Sequence, residues 1–476
     1  MRRPHLVAIA VTGLALLPIT RASAQPKELI LTANPEAVAH FRLGWQASDL
    51  NNREQALRHF KMAIDADPNF GLARAMYRWS GAAGDTSTGS DLKRAVADAA
   101  KGSTAELLLT MAFREGVMTG PAVSGPLMRA AAELVPTDPA IAMLAFYIDP
   151  PSDGKAQLAG IKALAARFPD YAPAFNGLAY SAWLAKEHTA GLEAAATQVK
   201  LLPRNPNSHD TYAELLQWSG NYPEALKHYQ QAFALDSAFV AALEGMADVE
   251  TLQGHYDKAR GYISQAIARS TQPGVKLFYM RDIVGIHGMA GDRKSMEAQL
   301  IAVAKEAKAQ GNTRVAANAY SQIAASSANA GNAKAAHDYL ALAYATDTAK
   351  SVTVGYYAAM AHAMLKHWAP AMEALAAAKS APDATQSAAR ISAAEAYLAT
   401  SQGKPADAIA LLASADLTDP VVAGRLAEAY LAAGRVDEAA KLQRQIVDDK
   451  ALVLADFGGT NARARARAAT TVAKKK

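Results

Sequence analysis

The sequence predicts an all-α fold, an α-solenoid of stacked helix-turn-helix repeats. Three observations carry that reading. Hydrophobic residues make up 51% of the chain but aromatics only 7%, with alanine abundant throughout. That favours close-packed helices over a β-sandwich of β-branched and aromatic residues. Short stretches recur at a fixed spacing. Each has a glycine at the same place, where a turn between helices is needed.

The 476 residues exceed one ordinary core, and the 20% charged fraction is that of a globular protein. Cysteine is absent, which excludes disulfides, thiolate metal sites, Cys nucleophiles and a lipid-modified N-terminal Cys.

Residues 1–24 read as an export signal. Arg2 and Arg3 give the positive start, Leu6 to Ile19 the apolar stretch, and Ala22-Ser23-Ala24 the small-residue cleavage pattern. Cleavage is expected between Ala24 and Gln25, placing the protein in the periplasm or outside the cell. The alternative, a membrane anchor, needs about 20 apolar residues, and Pro18 interrupts the run. No later apolar run is long enough to span a membrane, so none is expected in the mature chain.

Residues 25–36 form a short leading segment. The repeats follow. Ser219-Gly220-Asn221-Tyr222-Pro223-Glu224-Ala225-Leu226 is echoed by Gln253-Gly254-His255-Tyr256-Asp257-Lys258-Ala259-Arg260, with the two glycines 34 residues apart. Ala433-Gly434-Arg435-Val436-Asp437-Glu438-Ala439-Ala440, Gln402-Gly403-Lys404-Pro405-Ala406-Asp407-Ala408 and Ala330-Gly331-Asn332-Ala333-Lys334-Ala335-Ala336 repeat the pattern. Near the start, His40-x2-Leu43-Gly44, Ala56-x3-Phe60, Ala63 and Pro68 stand in the same order.

These residues resemble the tetratricopeptide repeat, whose period is about 34 residues. His40 stands where that family has Trp, and Ala47 where it has Tyr. The resemblance is strong over 37–70 and 172–273, moderate over 317–450 and weak over 71–171 and 274–316. It implies a right-handed superhelix. The array is expected over 37–273, with 71–171 divergent, then a divergent helical connector over 274–316 and a second array over 317–457. One continuous superhelix and two arms both remain open. Small residues (Gly44, Ala179, Ala213, Ala247) suit the helix crossings, Gly220, Gly254 and Gly434 the tight turns, and Pro68 and Pro203 the helix ends. No repeat can bury its apolar stripe alone, so neighbours must stack. The stretch Gly81–Ser90 reads as a loop and Asp149 to Gly154 as a break. The run from Asn205-Pro206 to Ala213-Glu214 is similar to one that opens a helix in secreted bacterial members of the family.

Formal charge is +5, but 1–24 carry three arginines and the last fifteen residues six basic groups, leaving −4 for residues 25–461. The folded body is mildly acidic and is not expected to bind nucleic acid. Residues 458–476, rich in Ala, Arg and Lys, are expected to be a disordered basic tail, solvated or attached weakly to an anionic surface.

In the family the first helix of each repeat lines the concave surface. The resemblance thus selects Asn176, Tyr180 and Trp183, then Asp210, Glu214, Gln217 and Trp218, then Glu244 and Asp248 as a partner-binding groove. Its acidic character is the wrong sign for gripping a peptide carboxylate. A protein or peptide partner bearing a basic, extended segment is expected, held by the carboxylates and stacked on Trp183 and Trp218.

No catalytic, cofactor or metal site is expected. His362 and His367 are five apart and share no helix face for chelation, and His209, His228 and His255 lack a matched carboxylate cluster. Ser90-x-x-Lys93 lacks companion motifs, and Gly285-x-x-Gly288-x-x-Gly291 lacks phosphate-loop spacing, with Gly291 better suited to a turn. Leu454 to Arg463 resembles the phosphate hairpin of bacterial glucokinases, but too little chain follows to build that domain. Gly458-Gly459 reads instead as a helix C-terminal cap. The reading is a binding scaffold without catalysis. Alternatives are a glycan- or small-ligand-binding protein, an oligomerising structural component, and an enzyme with a site in 71–171.

Overall fold

The computed structural model describes residues 28–50, 52–81, 88–270 and 272–473. The export signal and most of the Gly81–Ser90 loop lie outside the described residues. Two compact units make up the chain, the first reaching Ser181 and the second starting at Ala182.

The first unit holds α1 (Pro35–Asp49), α2 (Arg53–Ala66), α3 (Gly71–Trp79), α4 (Thr88–Ala99), α5 (Thr104–Met118), α6 (Pro121–Leu134), α7 (Pro139–Ile148), α8 (Gly154–Arg167) and most of α9 (Ala172–Leu184). Its core gathers Phe41, Trp45, Phe60, Phe70 and Phe113, with Phe41 and Phe70 centroids 4.9 Å apart. Gly44 fits its expected role: a Cβ there would meet the Phe60 ring at 2.7 Å. The divergent 71–171 region is helical, but α3 has 9 residues and α7 has 10, which breaks the sequence period.

The second unit continues through α10 (His188–Leu201), α11 (Pro206–Trp218), α12 (Tyr222–Leu235), α13 (Ala241–Gln253), α14 (Tyr256–Arg269), α15 (Pro273–Ala290), α16 (Arg293–Ala309), α17 (Thr313–Asn329) and α18 (Ala333–Thr346). It closes with α19 (Val352–Met364), α20 (Trp368–Lys379), α21 (Ala388–Ser401), α22 (Pro405–Leu412), α23 (Pro420–Ala432), α24 (Val436–Asp448) and α25 (Phe457–Ala473). Within the second unit α11 packs on α12, α13 on α14 and α15 on α16 as successive hairpins, and α11 also packs on α13.

Local signals place the hairpins. The Asn205 side chain accepts from the Ser208 amide at 3.1 Å and Pro206 opens α11, so the first turn's free N–H groups are partly satisfied. Gly220 and Gly254 turn the chain at φ 85° and 86°, a left-handed conformation that costs other residues a Cβ clash. Ala213, Ala225, Ala247 and Ala259 are fully buried at the crossings.

The 274–316 stretch, expected as a divergent helical connector, is helical. It forms the hairpin α15–α16 within the second unit. With 18 residues, α15 exceeds the 13 of α11 and α13, so its turn glycine, Gly291, falls later than the repeat predicts. Insertion, not loss of structure, hides the repeat here. Among the described residues no helix is long and apolar enough to cross a membrane.

Candidate functional site on the inner face of the second unit

Five carboxylates face one another from three successive first helices. Asp210 and Glu214 stand one turn apart on α11, Glu244 and Asp248 one turn apart on α13, and Asp282 lies on α15. Burial is the main influence on each of the four whose ionisation is displaced, and neighbouring carboxylates add to it. Asp210 is pushed up to about 8, Glu244 to about 7 and Asp282 to about 9, while Asp248 is raised well above the carboxylate range. Among the described residues no lysine or arginine closes an ion pair with Asp210, Glu244, Asp248 or Asp282. Asp282 is fully buried, and the Arg281 guanidinium and the Ala455 amide beside it only partly offset the cost of that burial. Gln217 supports Asp248. At neutral pH such a cluster holds protons, or it holds a cation brought by a ligand.

Asp282 was not among the residues selected from sequence, yet it lies 34 residues beyond Asp248, as Asp248 does beyond Glu214. Carrying the register one repeat further would have found it. The weak repeat signal over 274–316 hid it.

Residues 450–473 lie along the same inner face, so the expectation of a disordered tail over 458–476 is corrected for residues 458–473, the last three lying outside the described residues. Lys450 to Asp456 run as non-helical backbone, and Phe457–Ala473 then form α25. Gln217 donates to the Lys450 carbonyl at 3.3 Å, Arg281 to the Ala455 carbonyl at 2.9 Å, and Arg467 to the Leu252 carbonyl at 2.7 Å. Arg390 pairs with Asp456 at 2.8 Å. Leu452, Leu454, Phe457, Ala462 and Ala466 are buried. A count of charges misses this, because arginine stems pack against apolar surface while their heads find carbonyls. Ala and Arg are also good helix formers. Gly458 and Gly459 therefore begin a helix rather than cap the end of one.

The predicted groove residues divide into three groups. Asn176 and Tyr180 belong to the first unit, half-buried on α9. Gln217 is buried and structural, accepting from the Tyr229 hydroxyl at 3.1 Å while it holds Lys450. The remaining six lie in the second unit. Trp183 stacks on His188 with centroids 4.2 Å apart and meets Trp218 at 5.8 Å. The two tryptophans line a cavity of about 540 Å³ together with Leu184, Pro420, Ile446 and Val453.

The histidines behave differently from one another. His209 Nδ1 faces His228 Nδ1 at 2.9 Å and its Nε2 faces the Pro203 carbonyl at 3.0 Å, so both nitrogens are placed. His255 Nδ1 meets Glu250 at 2.6 Å. His362 and His367 share no helix face, as expected, yet they converge by another route. Lys366 turns left-handed at φ 60° and the His367 amide donates to the His362 carbonyl at 2.8 Å, which folds His367 back over the end of α19. His337 joins them from α18, and one ring nitrogen from each of the three lies within 4.8 Å of the others. Helix-face spacing could not reveal this, because His367 is not on the helix. Ser90 and Lys93 stand on the exposed side of α4. Gly291 ends α15 at φ 73°, as a turn glycine should.

No curated protein matches the chain. Residues 399–452 match the tetratricopeptide repeat family. Among solved structures the chain is similar to MamA, residues 41 to the end, from Desulfovibrio magneticus RS-1, with 12% identity over 35% of this chain and 96% of that one and a TM-score of 0.30. It is similar to YrrB, described as a TPR protein with an unusual peptide-binding site, with 20% identity over 40% and 92% and a TM-score of 0.26. It is also similar to a human IFIT1 dimer with m7Gppp-AAAA, with 14% identity over 87% and 90% and a TM-score of 0.40. At such identities no shared partner follows. The family match over residues 399–452, the 34-residue register and the stacked hairpins support a tetratricopeptide-repeat protein.

Proposed function

We propose that the chain is an exported, non-catalytic scaffold that binds a protein or peptide partner through the inner face of its second unit. The observation that carries the reading is the cluster of Asp210, Glu214, Glu244, Asp248 and Asp282, set on the same stack of helices as the Trp183–Trp218 pair. A basic, extended segment fits it. A lysine or arginine would stabilise the ionised carboxylates, and the tryptophans would stack on the segment. Support also comes from the chain's own Lys450–Asp456 stretch, whose carbonyls Gln217 and Arg281 already take. A partner would lie beside that stretch or displace it. Export rests on Arg2, Arg3, the apolar run and the Ala22-Ser23-Ala24 pattern.

The test uses residues 25–476 and two fluorescent peptides of equal length, one rich in lysine and one in glutamate, read by anisotropy. The lysine peptide should bind, more weakly as salt rises, and the glutamate peptide should not. Neutralising the cluster with Asp210→Asn and Glu244→Gln should weaken binding by about thirtyfold or more, as loss of buried charge partners does. Equal binding by this variant would sink the groove reading. N-terminal sequencing of the protein from its native envelope should begin at Gln25, and a start at Met1 would end the export reading.

A further inference from the structure

We propose that His337, His362 and His367 form a three-imidazole site for a transition-metal dication of the Zn²⁺ class, tying α18 to the α19–α20 hairpin. The site is distinct from the inner-face cluster and does not depend on it. His337 comes from α18, His362 from α19 and His367 from the turn that leads into α20. Among the described residues it is the one group of three or more histidine and carboxylate side chains whose ligand atoms converge closely enough to share an ion.

The geometry is close to what the metal needs. Zn²⁺ takes imidazole nitrogens at about 2.0–2.1 Å in a tetrahedral shell, which sets neighbouring nitrogens roughly 3.3 Å apart. Here they lie within 4.8 Å, so small side-chain rotations close the site. The rings that must move are the exposed ones, His337 and His367, already stacked at 5.4 Å and 14°. His362 is the half-buried anchor. Its Nδ1 is buried and makes no hydrogen bond, whereas His209, an ordinary packed histidine, has both nitrogens placed. Three gathered imidazoles with one unmet nitrogen are poorly explained by packing alone.

Three protein ligands leave a fourth position for water or for a partner's side chain. Imidazoles without a carboxylate in the shell favour Zn²⁺, Cu²⁺ and Ni²⁺ over Mg²⁺ and Ca²⁺.

The experiment is titration calorimetry of ZnCl₂ into the full mature chain, without a polyhistidine tag and stripped with chelator. One equivalent should bind. His337→Ala and His367→Ala, both at exposed positions, should each weaken binding at least about tenfold. His40→Ala and His209→Ala, which alter the two-histidine pairs elsewhere, should leave that equivalent unchanged. Zn²⁺ should raise Tm in the wild type and not in the His337→Ala/His367→Ala double variant, while Mg²⁺ raises neither. Co²⁺ should give the visible bands of a tetrahedral site in the wild type alone. Zn²⁺ uptake by the wild type equal to that of the double variant, folded by circular dichroism, overturns the proposal. So does loss of the equivalent in His40→Ala or His209→Ala with retention in the double variant.

Discussion

The carbonyl oxygen of Leu454 occupies the space that a Cβ on Gly285 would need. Gly285 sits inside α15, where glycine normally costs a helix about 0.5–1 kcal/mol relative to alanine. That cost is offset by close approach of the C-terminal segment, which could not lie there over any side chain. The expected sign of a glycine substitution is therefore reversed. Gly285→Ala should destabilise, and Gly285→Leu should do so by about 1–3 kcal/mol, because backbone cannot yield as a side-chain tip can. Hydrogen exchange over 450–470 should rise in both variants, and limited proteolysis should release the C-terminal segment first. Unchanged exchange would mean the segment is held elsewhere.

Arg463 should be the main fastener of α25. Its guanidinium donates to the Ile446 carbonyl at 3.1 Å, the Asp449 carbonyl at 2.7 Å, the Asp449 carboxylate at 2.6 Å and the Ala451 carbonyl at 2.6 Å. Arginine matches this set with a planar fork, whereas lysine offers a single point charge. Arg463→Ala should cost about 2–3 kcal/mol, a figure discounted because Asp449 is partly exposed. Arg463→Lys should recover only a small part. Urea unfolding followed by tryptophan fluorescence would check both variants.

The carboxylate cluster predicts an unusual pH profile. Asp210, Glu244 and Asp282 are raised from 3.8, 4.5 and 3.8 to about 8, 7 and 9. Between the unfolded and folded values the folded chain keeps protons that the unfolded chain has released. Stability then falls as pH rises through this window and levels off above the folded values. The Tm of the second unit should be higher near pH 5.5 than near pH 8.5, roughly by several degrees. Asp248→Asn should raise Tm at the higher pH and change it little at the lower. A Tm that climbs with pH would contradict a protonated cluster.

Leu184 separates packing from recognition. It is 81% exposed at the rim of the Trp183–Trp218 cavity. Leu184→Ser should shift stability by no more than about 0.5 kcal/mol, as surface changes do. It should nonetheless weaken binding of the lysine peptide about tenfold if the cavity takes an apolar part of the ligand. Matched Tm and anisotropy measurements on one preparation would show both.

Much of the architecture was legible because repeats write local constraints into the chain. A turn glycine, a buried alanine and a capping asparagine are each short-range necessities. Gly220, Gly254 and Gly434 accordingly have positive φ, and Ala213 and Ala247 are fully buried. The candidate site was only half legible. Asp210, Glu214, Glu244 and Asp248 follow from repeat register, but Gln217 holds the fold rather than a ligand, and Asp282 lay behind the lengthened α15.

The sequence by itself determined the helical class, the hairpin period and the acidic face, because each depends on residues within a repeat or one repeat apart. The tertiary structure alone decided where the C-terminal segment goes, since Arg467 reaches Leu252 across 215 residues. It also decided the His337–His362–His367 convergence, which depends on a left-handed turn at Lys366 and a neighbouring hairpin. Neither contact leaves a periodic trace. Both depend on how distant segments close on one another once the hairpins have stacked.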